Sequence, residues 1–161
     1  MVPRFRDILV GQLRKNMRDF QRQKVYDWER AHIAPRCSRI IPRANVQTVI
    51  DGIWMAHGLL YPPVVDDMPG QVRRKRADAN RLTVRFAEEH IPLWVVVHEL
   101  AHSMTWTIDS SIDKHGPNFM GMYLKLLDKV CNIPLCYTMF TLQSSPVKYD
   151  LTATPIVERM V

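Results

Sequence analysis

The sequence predicts an α+β fold, mostly helical with a small β-sheet, on three observations. An apolar run from Ile91 to Val97 leads straight into His98-Glu99-Leu100-Ala101-His102, as expected of a helix buried in a core. Phe119, Met122, Tyr123, Leu126, Leu127 and Val130 then recur at helical spacing. Arg81-Leu82-Thr83-Val84-Arg85-Phe86 alternates polar and apolar residues, the clearest strand signal in the chain.

In chain order, residues 4–33 read as one long or broken amphipathic helix ending before Pro35, with Phe5, Leu9, Leu13, Met17 and Phe20 on one face. Pro42 can open another helix, in which Val46, Val49, Ile50, Ile53 and Trp54 form an apolar face up to Gly58. Leu59–Val65 contains Pro62-Pro63 and is an edge strand at best. Asp66–Asn80 reads as an exposed loop with a basic run, Arg73-Arg74-Lys75-Arg76. Pro92 suits the first turn of the next helix, where its missing N–H costs nothing. Val95–Val97 could by periodicity be a buried strand, but a strand would keep His98 and His102 from sharing an ion. Thr107–Lys114 is polar and long enough to fold back, and Gly116-Pro117 turns into a helix over Asn118–Val130. Leu135–Leu142 is one more short helix. The chain therefore divides into a basic helical segment, 1–43, a core, 44–143, and a polar, Pro-punctuated tail, 144–161.

The chemistry lies in His98-Glu99-Leu100-Ala101-His102. Residues four apart on a helix stand one above the other, so both imidazoles can reach one ion. Glu99, one position along from His98, can then reach a water on that ion without ligating it. One class of such sites needs a Gly three and a His six residues beyond the second histidine. Those positions hold Thr105 and Ile108, which excludes it. Another class takes a Glu from a later helix, but the only Glu downstream is Glu158, in the polar tail. His115 is the better third ligand, because packing of the second helix on the first would fix it against the motif face.

At 161 residues the chain is long enough for one domain with a sizeable core, and 47% hydrophobic with 24% charged residues is ordinary for a globular protein. No apolar run approaches membrane-span length, and the start, Met1 to Asp7, lacks the apolar core of a signal peptide. Cys37, Cys131 and Cys136 are odd in number and read as reduced thiols in a cytoplasmic setting, with a Cys131–Cys136 metal pair as the alternative. Charge is unevenly placed. Residues 1–43 carry 11 Lys/Arg against 4 Asp/Glu, while the remainder is nearly balanced. That surplus and Arg73–Arg76 suit either nucleic-acid phosphates or an acidic protein partner, and equally a solvated helix face.

HELAH followed by a short polar stretch and then HGPNF resembles the SprT-like (Spartan-type) zinc metallopeptidases. It is especially similar to the short members encoded by bacteriophages and prophages, in which HGPEF is the usual form. Gln21-Arg22-Gln23-Lys24-Val25-Tyr26-Asp27-Trp28-Glu29 is similar to the N-terminal stretch of those proteins. The resemblance covers most of residues 20–130. It implies a minigluzincin-like zincin domain with a small sheet beside the HExxH helix. It also implies one catalytic Zn2+ held by His98, His102 and His115, with Glu99 as the catalytic base. Asn118 stands where the family usually has Glu, a position outside the ligand set. For a phage-encoded chain the setting would be the host cytoplasm or the virion.

The function expected on these grounds is peptide-bond hydrolysis of a protein substrate. The metal activates a water and polarises the carbonyl, and Glu99 carries the proton to the leaving amine. Tyr123, Tyr137 and Tyr149 are the candidate oxyanion donors, and Asp109 and Asp113 the candidate carboxylates that orient a ligand histidine. The Arg81–Phe86 strand is either an ordinary sheet strand or the one that pairs with extended substrate. Two other classes stay open: a non-catalytic structural protein, such as a phage particle component, that retains a zinc site, and a nucleic-acid-binding module.

Overall fold

Two prolines set the framework. In a computed structural model, which describes residues 19–69, 76–108 and 112–157, strand β1 (Ile40–Pro42) pairs antiparallel with β5 (His90–Pro92). Ile41 lies opposite Ile91, and both are buried. The flanking backbone bonds, Leu93 N–H to Arg39 and Arg43 N–H to Glu89, make the Ile41–Ile91 pair the hydrogen-bonded one. Pro42 and Pro92 thus occupy positions whose nitrogens point out of the ribbon, where proline sacrifices no ladder bond. Each then caps a helix, α2 (Arg43–Ala56) and α3 (Leu93–Thr105). Pro92 was expected inside the helix and instead stands just before it. Neither strand of this ribbon was legible in the sequence, because three residues ending in proline carry no alternation.

Helix α2 buries Val46, Ile50, Ile53 and Trp54 and ends on Gly58, which supplies the left-handed φ of 65° there. Gln47 carries the chain onward: its side chain accepts from Val65 N–H at 2.7 Å and donates to Pro63 O at 3.1 Å. That anchor brings the double-proline segment into β2 (Val64–Asp67), the expected edge strand in a slightly later register.

The second sheet has the order β2–β4–β3, with β3 at Ala77–Ala79 and β4 at Thr83–Phe86. Strand β4 runs parallel to β2 and antiparallel to β3, and its alternation places Val84 and Phe86 in the core. Arg85 lies opposite Asp78 and forms two hydrogen bonds to it, at 2.7 and 2.5 Å. Residues 66–80 are therefore not simply a loop. Ala-Asp-Ala has little strand propensity, and its partner strand supplies the register. The Arg81–Phe86 stretch is a central strand with both edges occupied, so it cannot be the strand that pairs with substrate. The sheet's edges belong to β2, where the Gln47 side chain takes Val65 N–H, and to β3.

Helix α3 is buried nearly all round, and α4 (Pro117–Cys131) packs across it through Phe119, Met122, Tyr123, Leu126 and Leu127. The helix over 93–105 settles the helix-or-strand alternative for Val95–Val97. Pro117 takes the first position of α4, and Asn132 ends it in left-handed geometry, with its N–H on Leu127 O. Helix α5 (Leu135–Leu142) follows within the expected bounds.

Two expected segments do not stand apart. Helix α1 (Arg22–Trp28) runs through a π turn, Glu29–Ile33, and a 3-10 turn, Ala34–Arg36, and buries Val25, Trp28 and Ile33 in the same core. Trp28 donates its indole N–H to Thr141 of α5 at 2.9 Å. Residues 1–43 were separated as a basic amphipathic segment, and the described part, 19–43, packs into the core. Phe20, expected on the apolar face, is exposed, with the Lys24 ammonium 4.5 Å over its ring.

The polar C-terminal stretch forms a strap rather than a free tail. Asp150 N–H reaches Pro117 O at 3.0 Å, Ile156 N–H reaches Met104 O at 2.7 Å, and Val147 and Ala153 are buried. Gly121 makes the crossing possible, since a Cβ there would collide with the Asp150 carbonyl. Tyr149, Leu151 and Val157 also pack against the core, so apolar anchors as well as backbone hydrogen bonds hold a stretch that reads as polar. Residues 4–18, Arg73–Lys75 and 158–161, on which the basic-segment and tail readings also drew, lie outside the described residues. Arg76 pairs loosely with Glu88, at 3.6 Å.

Candidate metal centre

Helix α3 carries His98, Glu99 and His102, and the turn before α4 carries His115. Because α4 lies across α3, the three imidazoles meet. Their Nε2 atoms are separated by 3.1 Å (His98–His102), 3.2 Å (His102–His115) and 3.4 Å (His98–His115). Three ligands of a tetrahedral zinc site with Zn–N of about 2.0–2.1 Å stand about 3.3–3.4 Å apart, so the triangle fits a zinc-sized ion. His98 and His115 are buried and His102 half-buried.

The outer ring nitrogens explain why the inner ones face one another. His98 Nδ1 donates to Glu29, a carboxylate that is only 3% exposed. His115 Nδ1 lies 3.0 Å from both oxygens of Asp19, and His115 N–H reaches the same carboxylate at 3.2 Å. With protons committed to these carboxylates, Nε2 of both His98 and His115 presents a lone pair toward the other. In that tautomer two acceptors face each other 3.4 Å apart, an arrangement that a cation between them would satisfy.

Burial presses the His98 pKa down, but the Glu29 charge and hydrogen bond overcome it and hold the value above the usual histidine figure. Burial, then the neighbouring His98 and His115, press His102 well below that figure. His115 is also lowered, by burial that its Asp19 hydrogen bond only partly offsets. Burial raises the Asp19 pKa, but its contacts with His115 hold the carboxyl below the usual range.

Phe119 backs the cluster. Its ring stacks on His102 at 4.2 Å and lies 5.0 Å from the rings of both His98 and His115. Tyr123 sits behind it, 5.2 Å from His98 and fully buried, where burial and then Glu29 push its hydroxyl pKa well up. Glu99 is buried, at 6% exposure. Tyr26, from α1, stands 5.2 Å from His115 and 6.0 Å from His98 and is 37% exposed. Burial, then the Glu99 charge, push its pKa up to about 12, so Tyr26 is a neutral phenol.

Of the residues marked in the sequence, the structure brings together the three histidines, with Glu99 beside them. The supporting residues differ from those expected. Among the described residues Asp113 makes a turn, its carbonyl accepting from Gly116 N–H at 3.1 Å, and Asp109 lies outside the described residues. Tyr137 packs under Arg36 and donates weakly to His32 O at 3.4 Å, and Tyr149 packs against the core. Glu29, Asp19 and Tyr26 take the places next to the histidines. Their spacing, with Arg22 between them at 19, 22, 26 and 29, puts them along one side of the α1 segment. Acidic residues in an otherwise basic stretch were the available signal.

No family model, curated protein or solved structure matches the chain.

Proposed function

We propose that the protein is a zinc-dependent metallopeptidase of the SprT-like kind. The observation that carries this reading is the triangle of Nε2 atoms, 3.1–3.4 Å on a side, with Glu99 one residue from His98. Three neutral nitrogen ligands are the donor set that leaves a fourth position for solvent or substrate, as in hydrolytic rather than structural zinc sites. Bound zinc supplies the Lewis acidity that activates water and polarises a peptide carbonyl. Glu99 accepts the proton of the attacking water and passes it to the departing amine. Glu29 and Asp19 hold the imidazoles in the tautomer that faces inward.

The open edge of β3 offers a place for extended substrate. Asn80 N–H bonds Thr83 O, and Ala87 N–H bonds Arg76 O, so residues 76, 78 and 80 face β4. Ala77 and Ala79 therefore turn their N–H and C=O groups outward, free to pair with a peptide strand. The edge is tied to α3 by Ser103, whose hydroxyl donates to Asn80 O at 2.8 Å.

The test is metal analysis with cleavage assays on denatured protein. One zinc per chain, cleavage lost with chelator, and loss of cleavage but not of zinc in Glu99→Gln are expected. A zinc-replete protein inert toward a broad panel of unfolded and DNA-bound proteins would favour a structural role instead.

A further inference from the structure

We infer that Tyr26 is the oxyanion-stabilising residue of this site, donating its phenolic hydrogen bond to the scissile carbonyl oxygen as that oxygen gains negative charge. The inference rests on the metallopeptidase reading and adds a role that the HExxH motif does not assign. Three observations support it. Tyr26 is the tyrosine that meets two ligand imidazoles while remaining partly exposed, 5.2 Å from His115 in edge-on geometry and 6.0 Å from His98. Its hydroxyl has no hydrogen-bond partner among the described residues, whereas that of Tyr137 is directed at a backbone carbonyl and that of Tyr123 is sealed in the core. Arg22, one helical turn earlier, places its guanidinium 6.0 Å from the Tyr26 ring, adding positive charge on the same side.

The position also makes chemical sense. Phe119, almost fully buried, backs the imidazole triangle, whereas Tyr26 meets solvent beside His115 and His98. When water attacks the carbonyl carbon, the C=O bond becomes a C–O⁻ single bond and the water proton passes to Glu99. The C–N bond then breaks, and that proton leaves on the amine. Tyr26 gains and loses no proton in this sequence. It stabilises charge that exists only in the transition state, so its contribution belongs in kcat rather than in ground-state binding.

The experiment compares wild type, Tyr26→Phe and Glu99→Gln, all zinc-loaded. Tyr26→Phe keeps the ring and should retain one zinc and an unchanged melting temperature. It should lose about 100-fold in kcat with little change in KM. A phosphinic peptide built on the cleaved sequence, whose tetrahedral P–O⁻ mimics the oxyanion, should bind it at least tenfold more weakly by calorimetry. The same peptide should still bind Glu99→Gln. Wild-type kcat and equal inhibitor binding in Tyr26→Phe would overturn the role of Tyr26 and leave the peptidase reading standing. A zinc-loaded wild type that cleaves nothing would bring down both.

Discussion

Glu29 and His98 are 69 residues apart in sequence and meet through a buried hydrogen bond at Nδ1. The ion pair is enclosed from both sides, so the carboxylate sets both the tautomer and the basicity of the first motif histidine. Glu29→Gln should therefore weaken zinc binding by about 10–100-fold while leaving the three imidazoles in place. Competition titration with a chromophoric chelator measures it, and unchanged affinity would remove Glu29 from the site.

The same pair fixes a pH dependence. His98 is held above the ordinary histidine pKa, so protons compete with metal there before the pH has fallen to about 6.5. Zinc affinity should accordingly decline on acidification from a pH above that value. In Glu29→Gln the raising charge is gone, His98 protonates later, and the decline should begin at lower pH. A shift of the onset upward would contradict this assignment.

Phe119 touches all three imidazoles and is almost fully buried. Phe119→Ala should cost roughly 3–5 kcal/mol of stability through the cavity it leaves. Zinc should restore part of the melting temperature, because binding to the folded state offsets the loss. Absence of any zinc-dependent shift in both wild type and variant would count against metal binding.

Gly121 faces the Asp150 carbonyl without room for a methyl group. Gly121→Ala should displace the strap, destabilise the protein by about 1–3 kcal/mol and expose the chain near residue 150 to proteolysis. Melting curves and limited proteolysis with mass spectrometry report both effects.

Ala79→Pro removes an outward N–H from the open edge of β3 without touching the ladder to β4. If substrate pairs there, KM should rise several-fold with stability nearly unchanged. An unaltered KM would place the substrate elsewhere.

The sequence disclosed what local periodicity encodes. Helices α2, α4 and α5 follow their apolar spacing closely, and the four-residue repeat of His98 and His102 needs only a helix to share an ion. His115 was reachable because Gly116-Pro117 marks the start of α4. The carboxylates were hidden because Glu29 and Asp19 acquire their role only when α1 lies beside α3 and α4, and distance along the chain gives no hint of that. Strand β3 was hidden for the reason that makes it an edge: its residues have little preference of their own.

Gln21 gives this arrangement a consequence in time. Its side-chain amide donates to the carbonyls of His115, at 2.9 Å, and Lys148, at 3.0 Å, so the third histidine is held between an early turn and the late strap. A ribosome must release the chain through Lys148 before that clamp can close. A polypeptide that stops short of Lys148 carries the motif without the clamp on His115.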